Sequence, residues 1–188
     1  MSTYGVTYAI LSPVVRGVPS AGKYQDSEAE SGGTHGMSNK TVAFHTLGCK
    51  LNQYDTQSLR ELFHQRGYAM VDFSEVADVY VINTCTVTGS GERKSRQAIN
   101  RAVRSNQEAV VVVTGCYAQI APGEVMGIDG VDLVIGTQDR SHIVDLVEEI
   151  RTTRQPRIVV RNIFEAREFE ELPVTEYVGR TRATMKIQ

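Results

Sequence analysis

Five consecutive apolar residues, Ala109 to Val113, lead through Thr114 and Gly115 to a cysteine, Cys116, and this run constrains the fold more than any other stretch. A valine-rich run this short and continuous suits a strand buried on both faces, as in parallel sheets covered by helices. Two further stretches repeat the plan. Thr41 to Leu47 leads through Gly48 to Cys49, and Val79 to Asn83 leads through Thr84 to Cys85. Each cysteine is followed by a polar segment with helical periodicity, so three thiols stand at the carboxyl ends of three expected strands. Parallel strands joined by crossover helices point those ends at one edge of the sheet. Open α/β sheets bind ligands at that edge, where the strand order reverses. The expected class is therefore α/β: an open, mainly parallel sheet of the Rossmann or flavodoxin-like kind with flanking helices.

The remaining elements follow in order. Leu51, Asp55, Leu59, Leu62 and Phe63 recur at helical spacing, and Gly67 is placed to end that helix. Residues 69–73 suit a short strand. A polar helix is expected from Ser90 to Asn106, its charges Arg93, Lys94, Arg96, Arg101 and Arg104 reading as a solvated face or as a contact to phosphate or a neighbouring domain. A short helix over 118–126, with Pro122 limiting its start, a strand over 131–135 and an amphipathic helix capped by Ser141 complete the pattern. Residues 1–38 have the composition of a disordered extension, with Met37 as the expected natural start. Residues 39–152 form the expected folded domain. Residues 153–188 read as a linker with a possible strand at 157–160, an acidic run at 165–171, and the opening of a new strand at 182–188.

The chain has 188 residues, 41% hydrophobic and 22% charged, enough for one buried core. No apolar run reaches the ~18 residues of a membrane span. A net charge of -2 argues against an overall nucleic-acid footprint and leaves a local basic face open. Without a secretory signal the expected compartment is the cytoplasm, where thiols stay reduced.

Cys49, Cys85 and Cys116 are separated by 36 and 31 residues, unlike the short spacings of zinc ribbons, redox dithiols or ferredoxin loops. Three thiols at one edge suit a four-iron cluster with one iron lacking a protein ligand. Zinc would take a fourth ligand, for which His45 is a candidate that reads better as a surface or core residue. Core cysteines in a cluster-free flavodoxin-like binding module, and a thiol redox protein, are the competing readings. The phosphate-cradling signatures G-x-G-x-x-G and G-x-x-x-x-G-K-[ST] are absent, and Gly89-Ser-Gly91 reads as a turn or a weak anion site.

Four motifs, Thr46-Leu-Gly-Cys-Lys-Leu-Asn-Gln-Tyr-Asp, Asn83-Thr-Cys-Thr-Val-Thr, Thr114-Gly-Cys-Tyr-Ala-Gln and Val134-Ile-Gly-Thr-Gln, resemble in order and spacing the amino-terminal domain of the radical S-adenosylmethionine methylthiotransferases. The resemblance covers about residues 41–188. It implies that Cys49, Cys85 and Cys116 hold an auxiliary [4Fe-4S] cluster whose open iron carries the sulfur to be transferred. It also implies tRNA as partner, with S-adenosylmethionine and a second [4Fe-4S] cluster belonging to a catalytic domain whose C-x-x-x-C-x-x-C loop this sequence lacks. That departure makes this chain alone inactive. Cys49-Lys-Leu-Asn resembles the branch acting on threonylcarbamoyladenosine beside the anticodon. Enzymes for isopentenyladenosine in tRNA, or for a ribosomal protein, are the alternatives within the family.

Overall fold

A computed structural model describes residues 40–86, 89–165, 170 and 172. The expected extension at 1–38 and the strand opening at 182–188 lie outside the described residues. The rest builds one six-stranded sheet from β1 (Thr41–Thr46), β2 (Ala69–Val71), β3 (Val79–Thr84), β4 (Val110–Gly115), β5 (Leu133–Ile135) and β6 (Arg157–Val159). Its order is β2-β1-β3-β4-β5-β6, and every neighbouring pair is parallel. The chain winds outward one way from β1 to β2, then crosses back to β3 and continues the other way. The order therefore reverses at β1 and β3, the flavodoxin-like arrangement.

Five helices connect the strands: α1 (Lys50–Gln65), α2 (Gly89–Ser105), α3 (Cys116–Ile120), α4 (Pro122–Met126) and α5 (Ile143–Thr153). They cover both faces of the sheet. On one face Leu59 and Phe63 of α1 and Ile143, Val147 and Ile150 of α5 pack on Val42, Phe44, Val79, Val81, Val110 and Val112. On the other, Ala98, Ile99 and Ala102 of α2, Tyr117 and Ala118 of α3 and Val125 of α4 pack on Ala43, Tyr80, Ile82, Val111 and Val113. Alternate strand residues thus serve opposite layers, and β3 and β4 are buried along their whole length. Burying a large side chain such as Phe63 or Ile99 stabilises by about 1.5–3 kcal/mol.

Several local expectations are revised. The helix expected over 118–126 is two short helices broken at Ala121, where Pro122 starts the second. Ser141 does not cap α5. Asp139 adopts a left-handed φ of 61°, a 3-10 turn follows over Arg140–His142, and the Ser141 amide donates to Glu170 at 2.8 Å. The possible strand at 157–160 is β6, pairing with β5 through Leu133–Arg157 to Ile135–Val159, so the segment expected as linker supplies an edge of the sheet. Gly89-Ser-Gly91 is the first turn of α2. Among the described residues no helix is long and apolar enough to cross a membrane.

Candidate functional site

Strand register brings the motifs together. Thr46 pairs with Asn83, Asn83 with Thr114, and Thr84 with Gly115, so β1, β3 and β4 end level with one another. Cys49 and Cys85 follow the two strands between which the order reverses, and Cys116 follows the next. The expected convergence at the carboxyl edge is what the topology produces.

Close approach of the loops depends on two glycines in backbone conformations that side chains rarely adopt. Gly48 has φ 106°, and a Cβ there would stand 2.7 Å from Cys85 Cβ and 3.0 Å from its Sγ. Gly115 has φ 91°, and its Cβ would stand 2.4 Å from both Asn83 Oδ1 and the Thr84 carbonyl. The residue before each of Cys49 and Cys116 therefore lies directly against the Cys85 loop.

Polar side chains of α1 complete the cradle. Hydrophobic periodicity predicts Leu51 on the buried face, but Leu51 is 46% exposed while Asn52, Asp55 and Thr56 are buried. Asn52 turns inward to backbone groups at the strand ends, Thr56 to the side chains of Thr46 and Asn83, and Asp55 to Arg140. Asn52 Nδ2 donates to the carbonyls of Leu47 and Thr84, at 2.8 and 2.9 Å. Asn83 Nδ2 donates to the Asn52 carbonyl and to Thr56 Oγ1, at 2.9 and 3.1 Å. Thr84 Oγ1 donates to the Thr114 carbonyl, and Thr114 Oγ1 reaches the Gly136 carbonyl at 3.2 Å. Gln119 Oε1 accepts from the Thr137 amide at 2.9 Å, tying the fourth motif to the third. Of these, Asn52, Asn83, Thr84, Thr114 and Gln119 were legible only as members of motifs, without roles.

Below this layer, Arg140 is buried between carboxylates. Its Nη1 lies 2.8 Å from Asp55 and its Nε 3.2 Å from Glu170, with the Arg140 side chain only 3% exposed. Nothing in the local sequence marks this pair of contacts, because the partners come from distant segments.

All three cysteines are free thiols; Cys49 is exposed, and Cys85 and Cys116 are half-buried. Cys49 stands at the amino end of α1, where the helix dipole favours negative charge, and its Sγ lies 3.7 Å from Asn52 Oδ1. Burial pushes the Cys116 thiol up, and the neighbouring Cys85, Cys49 and Asp55 push it further. Among the described residues no three His, Cys, Asp or Glu side chains close on a point in the way that would hold a single metal ion. His45 is engaged elsewhere, its ring 4.7 Å from that of Phe73.

Residues 41–136 match the family described as "Uncharacterized protein family UPF0004". The chain belongs to this family. It is 55% identical over 148 residues to the threonylcarbamoyladenosine tRNA methylthiotransferase MtaB of Bacillus subtilis, covering 79% of this chain and 33% of that protein. Identity is 47% over 147 residues with the Aquifex aeolicus MtaB, covering 78% of this chain and 36% of the relative. It is 34% over 151 residues with the tRNA-2-methylthio-N(6)-dimethylallyladenosine synthase of Moorella thermoacetica, covering 77% and 32%. The family domain is shared with tRNA methylthiotransferases, and the chain spans about a third of the length of these relatives. In this UPF0004 chain the matched residues run from the start of β1 to Gly136, within the fourth motif, and so contain all three cysteines.

Proposed function

We propose that this chain is the auxiliary-cluster domain of a tRNA methylthiotransferase acting on threonylcarbamoyladenosine, with Cys49, Cys85 and Cys116 as the ligands of a [4Fe-4S] cluster. The observation that carries the reading is the convergence of three free thiols, each from a different strand end, on the switch point of a parallel sheet. The donor set fits the group. Thiolate is the usual ligand of iron-sulfur clusters, and all three candidate ligands are free cysteines. Gly48 and Gly115 let the loops of Cys49 and Cys116 close directly onto the Cys85 loop, and a cationic iron core relieves the mutual repulsion of three thiolates.

When bound, the cluster supplies an iron without a protein ligand that can hold the sulfur to be transferred. The residues of this chain fix the three thiols relative to one another. Asn52 ties the Cys49 loop to the Cys85 loop, and Thr84 ties the Cys85 loop to the end of β4. The amino end of α1 supports the charge at Cys49.

The threonylcarbamoyl branch is favoured by Cys49-Lys-Leu-Asn and by higher identity to the two MtaB relatives than to the dimethylallyladenosine enzyme. On this reading the partner is tRNA, the compartment is the cytoplasm, and S-adenosylmethionine with a second [4Fe-4S] cluster is bound by another domain. With its three cysteines assigned to one site on this reading, the 188-residue chain would hold one cluster and would not by itself catalyse methylthiolation.

Iron and acid-labile sulfide per chain, measured after anaerobic reconstitution, test the reading. About four irons are expected in the wild type and none in a Cys49→Ala, Cys85→Ala, Cys116→Ala variant. A folded wild-type chain that takes up no iron would overturn it.

A further inference from the structure

The sequence leaves the charges of α2 spread along a polar helix, but the structure gathers most of them on one side. Arg93, Lys94, Gln97, Asn100, Arg101 and Arg104 are all exposed, whereas Ser95, Ala98, Ile99 and Ala102 are buried. At 3.6 residues per turn the exposed set covers ~120° of the helix and runs ~16 Å along it. No carboxylate belongs to this stripe. The one acid of α2, Glu92, sits on its flank and pairs with Arg96, which also reaches Glu124. Among the described residues Arg93, Lys94 and Arg104 have no ion-pair partner.

Three features distinguish the stripe from an ordinary solvated face. The chain as a whole is slightly acidic, with a net charge of -2, so four cations without an acid are a local concentration. Arg101 is held with its guanidinium 5.7 Å from the Phe73 ring centroid, and the Asp72 carboxylate, which accepts from the amide and hydroxyl of Ser74, faces it from outside the stripe. A shallow concavity of about 400 Å³ lies against Gln97, Asn100, Arg101, Arg104 and Ser105, mixing cations with amide and hydroxyl donors. Such a surface matches phosphate and sugar oxygens, which take most protein–nucleic-acid hydrogen bonds.

We infer that the α2 stripe is a docking surface for the phosphate backbone of RNA. The inference rests on the reading above and names where this domain meets its tRNA. α2 begins at Gly89, four residues beyond Cys85, so Arg93 and Lys94 lie at the end of the stripe nearer the cysteine edge and Arg104 at the far end. A strand laid along the stripe would run toward the thiols.

The test is binding of an unmodified tRNA transcript to the full chain as salt is varied, for the wild type and for a variant with Arg93, Lys94, Arg101 and Arg104 all changed to Ala. Each phosphate contact contributes about 0.7–0.9 to the slope of log affinity against log salt, so the variant's slope should be smaller by about 3. A variant with Arg93, Arg101 and Arg104 changed to Lys should keep the wild-type slope and shows that the loss is one of charge. An unchanged slope in the alanine variant overturns the inference. So does binding of an acidic peptide to the stripe that tRNA fails to displace, which would assign the surface to a protein partner. Iron content of the same samples separates the two readings. Normal iron with an unchanged slope removes only the RNA surface, and absent iron with the expected slope loss removes only the cluster.

Discussion

The side-chain amide of Asn52 donates a 2.9 Å hydrogen bond to the Thr84 carbonyl, joining the first turn of α1 to the last residue of β3. The same nitrogen donates to the Leu47 carbonyl, so one buried side chain fixes the spacing of the Cys49 and Cys85 loops. Asn52→Ala leaves two carbonyls of the cradle without this donor. Leaving buried polar groups unsatisfied costs about 1–3 kcal/mol. A urea titration should show the midpoint falling accordingly, and reconstituted Asn52→Ala should lose iron faster than wild type under a chelator. Unchanged iron retention would mean that the loops hold their spacing without Asn52.

Two glycines, Gly115 at the end of β4 and Gly123 inside α4, should respond oppositely to alanine. At Gly115 the added methyl meets Asn83 Oδ1 and the Thr84 carbonyl at 2.4 Å, in a left-handed backbone conformation. Gly115→Ala should destabilise by more than about 1 kcal/mol. At Gly123, inside α4, nothing lies within 4 Å of the added methyl, and Gly123→Ala should stabilise by about 0.4–1 kcal/mol. Thermal unfolding of the two variants checks both signs.

Burial separates the ion pairs of this domain into two classes. Arg140 and Asp55 have side chains 3% and 10% exposed, and Arg140→Met should cost about 3–5 kcal/mol by leaving buried carboxylates facing one another. Arg154 and Glu108 are 54% and 85% exposed, and Arg154→Met should change stability by less than about 1 kcal/mol. Chemical denaturation that gave both variants the same stability would refute this division.

A pH effect is expected at the opposite edge of the sheet. Tyr68 donates a short hydrogen bond to Glu148, which also accepts from Lys40 at 2.7 Å. Burial first, and the hydrogen bond to Glu148 second, push the phenol up to about 12, with Arg151 opposing. The folded state therefore holds this proton more tightly than the unfolded chain, whose tyrosine titrates near its ordinary 10. The stabilisation is complete below about pH 10 and is lost as the pH rises toward 12. The stability difference between wild type and Tyr68→Phe should shrink across that window.

The layers of this fold were legible because they follow from runs of one residue class. Valines 110–113 can be satisfied only between two helical layers, and the small residues beside the cysteines mark where a chain turns. The placement of the three cysteines at one edge was legible, since parallel strand ends converge by topology alone. What supports the thiols was not. Asp55 falls on the periodic face without a partner to explain it, and Asn52 and Thr56 fall off that face, yet all three are buried because Asn52 meets the backbone of the strand ends, Thr56 the side chains of Thr46 and Asn83, and Asp55 the guanidinium of Arg140. The Arg140 contacts join residues 85 and 30 positions apart, and no local rule relates Glu170 in an acidic run to Asp55 in the first helix. The stripe on α2 needed the helix phase, which the scattered apolar positions left ambiguous.

The order of strands has a consequence for how the site is assembled. The proposed site draws a thiol from the end of each of β1, β3 and β4, and β3 cannot take its place until the chain has gone out to β2 and come back. During synthesis Cys49 emerges long before its neighbours exist, and the triad is incomplete until β4 and Cys116 have been made. On the proposed reading, iron and sulfide could be taken up only after β1, β3 and β4 have paired, so folding of the sheet's centre would precede loading of the site.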